Sequence, residues 1–183
     1  MKNILFISIG FSILMACGSR NNKYSAENSQ ILDEMIKNKS FEIIATSAQP
    51  LMTSAMQQLG NAGVFVNGSS AGNINLTTSA NYLRMKKDSV MADLPFYGER
   101  QFGGGYNSSS GIELEGIPKN LQIKKVKDSA YEIRFDIRDK NANTENYQVN
   151  IKLLPDLTST MMIRSTNRSN IQYRGRVNAL KAK

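Results

Sequence analysis

No histidine and no tryptophan occur in the 183 residues, and there is one cysteine. The missing imidazole excludes Ser-His-Asp and Cys-His catalysis, the usual zinc sites and the commonest general base near neutral pH. A single thiol excludes an intrachain disulfide, so the fold depends on packing. Without tryptophan there is no indole platform for a sugar ring. Acidic residues are also scarce, with 15 Asp and Glu against 23 Lys and Arg, a formal charge of +8. Asp33, Glu34, Asp136, Asp139 and Asp156 lack the dense oxygen spacing of a calcium loop, and no metal or cofactor is expected.

What the chain does carry begins at its start. Met1-Lys2-Asn3 leads into an apolar run over residues 4–14, too short to span a bilayer, that ends in Leu14-Met15-Ala16-Cys17. A basic start, an apolar stretch and a small residue before the cut have the layout of a cleaved secretory peptide. The last four residues resemble the bacterial lipobox, in which the cysteine thiol receives a diacylglycerol, the chain is cut before it and the new amine is acylated. Cleavage is therefore expected between Ala16 and Cys17, with Cys17 lipidated. Each buried methylene contributes about 0.8 kcal/mol, so several long chains on one residue hold a protein on a membrane. Nearby basic residues add only about 1 kcal/mol each. Gly18, not aspartate, follows the cysteine, and no acidic cluster comes after it. The expected location is the outer membrane, lipid-anchored and facing the periplasm.

This divides the chain into a signal peptide at 1–16, a lipidated flexible tether at 17–28, polar and rich in Asn and Ser, and one β-rich domain at 29–183. Residues 1–16 hold Lys2 and no acid, so the mature chain has a formal charge of +7. In an exported protein such a surplus points away from nucleic acid, towards anionic lipid, polysaccharide or cell-wall polymer, or serves solubility alone. An envelope protein or polymer is the expected partner, beside the membrane itself.

Apolar spacing predicts a helix over 29–38, with Ile31, Leu32, Met35 and Ile36 on one stripe. A strand is read at 41–46, and 50–59 is either a short helix bearing Met52 and Met56 or an irregular crossover. From Asn73 onward the period becomes two. Strands are predicted at 74–78, 81–86, 90–94, 112–115, 121–126, 131–137, 147–154, 160–165 and 171–177. The clearest places Tyr131, Ile133, Phe135 and Ile137 on one face and Glu132, Arg134 and Asp136 on the other. One dry and one wet face means antiparallel pairing. Lys87-Asp88-Ser89 and Lys127-Asp128-Ser129 read as hairpin turns, and the polar connection at 139–146 as exposed. The fold class is mainly β: a single antiparallel sheet domain, as a curved sheet, open barrel or sandwich, with one short N-terminal helix.

Chemistry is sparse. Glu113 and Glu115 share one strand face and could serve as an acid and base pair, or could simply be solvated. The glycine-rich stretch 101–111 lacks the Gly-Lys-Ser or Gly-Lys-Thr of a phosphate loop. Tyr97, Phe102 and Tyr106, with Arg100 beside them, could form an aromatic and cationic rim for a ligand or partner. Met161 and Met162 read as core filler.

Several stretches together carry a resemblance: Phe41-Glu42-Ile43-Ile44-Ala45, the run from Leu76 to Met85, Leu94-Pro95-Phe96-Tyr97-Gly98, and the closing Ile171-Gln172-Tyr173-Arg174-Gly175-Arg176-Val177. With the lipobox and the short helix, the chain resembles the exported bacterial family called domain of unknown function 4251 from about Ser29 to Leu180. It departs in a longer connection between Pro50 and Asn73. The resemblance implies a mostly β domain on a lipid anchor and brings no catalytic residues. The expected function is a noncatalytic binding or structural module of the envelope. The alternatives are a carrier of lipid or another apolar ligand, favoured by a dry cavity, and a carboxylate-dependent glycan hydrolase, favoured by paired acids in a polar cleft.

Overall fold

Strand alternation organises most of the chain, and Tyr131–Arg138 shows it plainly: Ile133, Phe135 and Ile137 are buried while Arg134 and Arg138 are exposed. The computed structural model describes residues 23–102, 110–141 and 145–180. In order these form α1 (Lys23–Lys37), β1 (Ser40–Pro50), α2 (Ser54–Asn61), β2 (Ile74–Asn75), β3 (Tyr82–Lys86), β4 (Ser89–Leu94) and β5 (Ile112–Gly116). They continue with β6 (Lys119–Lys125), β7 (Tyr131–Arg138), β8 (Asn146–Leu153), β9 (Thr158–Ser165) and β10 (Ile171–Ala179).

All of these strands join one antiparallel sheet in the order β5-β4-β3-β1-β10-β9-β8-β7-β6, with β2 pairing β1 off that path. The sheet curls into a half-barrel, which settles the choice among curved sheet, open barrel and sandwich. Its two ends differ. At one, Leu114 and Asp139 form an antiparallel bridge, and the Lys140 amide donates to the Glu113 carbonyl at 2.9 Å, joining β5 to the end of β7. At the other end of β7, the Tyr131 hydroxyl donates to Asp33 of α1 at 2.6 Å, and the Lys125 ammonium lies 2.8 Å from the same carboxylate. Those bonds hold the Asp33 carboxyl below its ordinary pKa. Leu32, Met35 and Ile36 of α1 enter the same core as Phe41, Phe135, Tyr147 and Tyr173.

Several boundaries move from their expected places. The helix starts at Lys23, inside the stretch expected to be tether, because a helix nucleated by its buried stripe extends at little cost. Ile31, expected on that stripe, remains 37% exposed. The strand expected to end at Thr78 stops at Asn75, whose side-chain oxygen accepts from the Thr77 amide at 3.0 Å and turns the chain. β1 runs on to Pro50 through a bulge between Ala45 and Ser47. There the Asn81 side chain substitutes for a neighbouring strand, accepting from the Ala45 amide at 2.8 Å and donating to its carbonyl at 3.0 Å. The crossover resolves as a helix, with the Thr53 hydroxyl accepting from the Met56 amide at 3.3 Å. Both expected hairpins form, with Lys86 paired to Ser89 and Lys125 to Tyr131.

Candidate binding surface

Residues 95–102, 110–111, 139–141, 145 and 166–170 meet at the bridged end of the half-barrel. Their centre is Arg168, 4% exposed. Its guanidinium grips Glu145 (1% exposed) through Nε at 2.8 Å and Nη2 at 3.2 Å, and Nη1 donates to the Gly111 carbonyl at 2.7 Å. The guanidinium carbon lies 5.2 Å above the Phe96 ring. Ser165 donates to the same carboxylate at 2.5 Å. Burial raises the Glu145 carboxyl, but the bonds from Ser165 and Arg168 more than reverse this, leaving its pKa below the ordinary value. Tyr147 donates to Asp139 at 3.1 Å, and burial pushes its phenol far above its usual range. Asp139 and Glu145 belong to the connection expected to be exposed. They are buried because the Arg168 guanidinium and the phenol of Tyr147 on β8 supply the hydrogen bonds that water would otherwise provide.

Around this clasp lies the Leu-Pro-Phe-Tyr-Gly stretch. Tyr173 donates to the Pro95 carbonyl at 2.9 Å, and the Ser169 amide donates to the Glu99 carbonyl at 2.9 Å. Gly98 has φ +150, and a Cβ there would lie 2.5 Å from the Ser169 hydroxyl, so the close approach needs glycine. The expected rim residues are placed differently from one another. Tyr97 packs on the core, Arg100 forms a β-bridge with Arg168, and Phe102 stands 70% exposed. Tyr106, Ala16 and Cys17 lie outside the described residues. Glu113 accepts from Asn141 at 2.9 Å and Glu115 pairs with Lys140 at 2.6 Å, so both carboxylates staple the bridged end. Among the described residues no group of three or more acids and thiols is arranged to hold a metal.

The outer face of β6–β10 is different in kind. Register carries Gln122, Arg134, Asn150 and Met162 across it in one row, and Asp136, Gln148 and Arg164 in the next. A bulge bends β6 between Lys119 and Gln122, with Asn120 at φ +53. The result is an open hollow of about 720 Å³ lined by Asn120, Gln122, Arg134, Asp136, Gln148, Asn150, Met162 and Arg164, with Phe135 beneath. A second of about 180 Å³ adjoins it and adds Glu132, Lys152 and Thr160. Asp136 accepts from Asn120 at 2.7 Å, and Arg134 lies 3.8 Å from Glu132. Among the described residues the side chains of Gln122, Gln148, Asn150 and Arg164 take no hydrogen bond or ion pair.

Charge on this face is one-sided. β6 presents Lys119 and Lys124, β7 Arg134 and Arg138, β8 Lys152, β9 Arg164, and β10 Arg174 and Arg176, against Glu132 and Asp136. The sequence reading singled out none of the amides and missed the Glu145–Arg168 clasp. The available signal was the wet half of each alternating strand, where Gln and Asn interleave with Arg. The clasp left no signal, because its partners are 23 residues apart in two loops.

Known proteins place the fold. A family model described as Domain of unknown function (DUF4251) matches residues 23–177. No curated protein matches the chain. The crystal structure of a DUF4251 family protein from Bacteroides eggerthii is similar at TM-score 0.57 and 14% identity, covering 86% of this chain and 92% of that one. At that identity the likeness concerns the half-barrel alone. The match of one family model from α1 to the last residues of β10 settles the relationship: this chain belongs to the DUF4251 family.

Proposed function

We propose that this protein is a lipid-anchored envelope protein, held through Cys17 at the periplasmic face of the outer membrane, whose half-barrel is a noncatalytic binding or structural module. The observation that carries the reading is the outer-face hollow, where Gln122, Gln148 and Arg164 are exposed and Asn150 is half-buried, none with a hydrogen-bond or ion-pair partner among the described residues. Polar side chains that merely keep a surface soluble need no shared concavity, whereas ligand sites are concave with convergent polar groups. The concave side of the sheet is filled by core side chains such as Phe41, Phe135 and Tyr173, which favours a binder over a carrier. The carboxylates considered for hydrolysis, Glu113 and Glu115, are occupied by Asn141 and Lys140, which favours a noncatalytic role.

The test is a photo-crosslinking residue placed at Gln148 in the full chain within intact cell envelopes, with Lys87 on the β3–β4 turn as the comparison position. The expected result is a specific adduct from position 148 and none from 87. No adduct at 148, or the same pattern at both positions, contradicts a binding role for this face.

A further inference from the structure

Resting on the reading of the outer face as the binding surface, we infer that its hollow takes a segment of acidic polysaccharide. Arg134 on β7 and Arg164 on β9 stand two strands and one side-chain step apart, about 12 Å between Cα atoms from standard strand spacings. Each offers a planar fork that matches a carboxylate or sulfate group. Between them lie the side chains of Gln148 and Asn150, with Gln122 to one side. An amide both donates and accepts, as a sugar hydroxyl does, whereas a bare anion asks only for donors.

Asp136 sharpens the distinction. Its carboxylate is in the lining and already accepts from Asn120. It repels a continuous chain of phosphates but accepts readily from a hydroxyl. Met162 supplies an apolar patch for the C–H face of a sugar ring. The aromatic ring beneath, Phe135, is 1% exposed, so no stacking platform for unpaired bases is present in the hollow. The surrounding surplus of Lys and Arg draws polyanions towards the face, and the mixed lining selects among them.

The test titrates the full chain, purified in detergent, with polygalacturonate, neutral dextran, polyphosphate and phosphatidylglycerol vesicles. Polygalacturonate is expected to bind at least about tenfold more tightly than dextran, since each charge-assisted bond outweighs a neutral one, and more tightly than polyphosphate, which has no hydroxyls to donate to the amide oxygens and Asp136. Arg134→Gln with Arg164→Gln should weaken it by about tenfold or more, and Gln148→Ala with Asn150→Ala several-fold. Arg176→Gln, on the same face but outside the hollow, should change it less than about twofold. Unchanged thermal midpoints show that these outer-face substitutions leave the fold intact. Equal losses from Arg164→Gln and Arg176→Gln, or polyphosphate binding as tightly as polygalacturonate, overturns the inference. Binding of vesicles through Arg134 and Arg164 without binding of polygalacturonate also overturns it, while leaving the face as the binding surface. Failure of the crosslink at Gln148 is the separate result that removes the underlying reading.

Discussion

Arg168→Met strands one of the few buried charges in the described structure. The substitution removes the two bonds to Glu145 and the bond to the Gly111 carbonyl, leaving a carboxylate that is 1% exposed without its cation. Breaking a buried pair by deleting one partner costs about 3–5 kcal/mol, because the survivor keeps its desolvation penalty. For a domain of this size that corresponds to a fall of about 6–20 °C in melting temperature. Adding Glu145→Gln removes the stranded charge and keeps an acceptor for Ser165, so the double variant should recover about 2 kcal/mol or more. Urea titration of wild type, both singles and the double gives the cycle directly. A loss below about 1 kcal/mol in Arg168→Met, or simple additivity in the double, would refute the clasp as the stabilising device of this end.

Three further outcomes follow from the packing. Gly175→Ala drives a Cβ into the Ile44 carbonyl and to 2.7 Å from the Ala45 Cα, so urea stability should fall by about 1–3 kcal/mol or more, against less than about 0.5 for Arg174→Ala; equal midpoints would show the β1–β10 crossing is looser than it looks. Phe135→Asp puts a carboxylate at a 1% exposed position and should prevent folding, while Arg134→Asp leaves circular dichroism and melting almost unchanged; matching melts would mean the facing of β7 is wrong. Because the folded pKa of Glu145 lies below the unfolded value of about 4.3, its contribution is fully present above that value and is lost as pH falls through the folded one. Wild type should therefore lose more urea stability than Glu145→Gln between about pH 5 and pH 3, and parallel curves would exclude the linkage.

The half-barrel was largely legible because its strands bury one face only. Ile133, Phe135 and Ile137 alternate with exposed or half-buried residues, as do Tyr147, Val149, Ile151 and Leu153 with theirs. What alternation does not encode is closure. The bridge between Leu114 and Asp139 and the grip of Arg168 on Glu145 join segments with no shared periodicity, so neither the curl nor the burial of Asp139 and Glu145 could be read along the chain. β2 was overextended for a local reason, since Leu76 is buried and apolar yet the Asn75 side chain has already turned the backbone. The hollow was visible only as polar residues on wet faces. Its concavity comes from the β6 bulge, which leaves Lys119-Asn120-Leu121-Gln122 with no distinctive composition.

The proposed residence in the envelope would decide which ligands this face can meet, and intact-mass analysis of the chain recovered from cell membranes tests it most directly. The account predicts a polypeptide beginning at Cys17, heavier than its amino acids by a diacylglycerol and one further acyl chain. An uncleaved chain beginning at Met1 with a bare thiol at position 17 would contradict it.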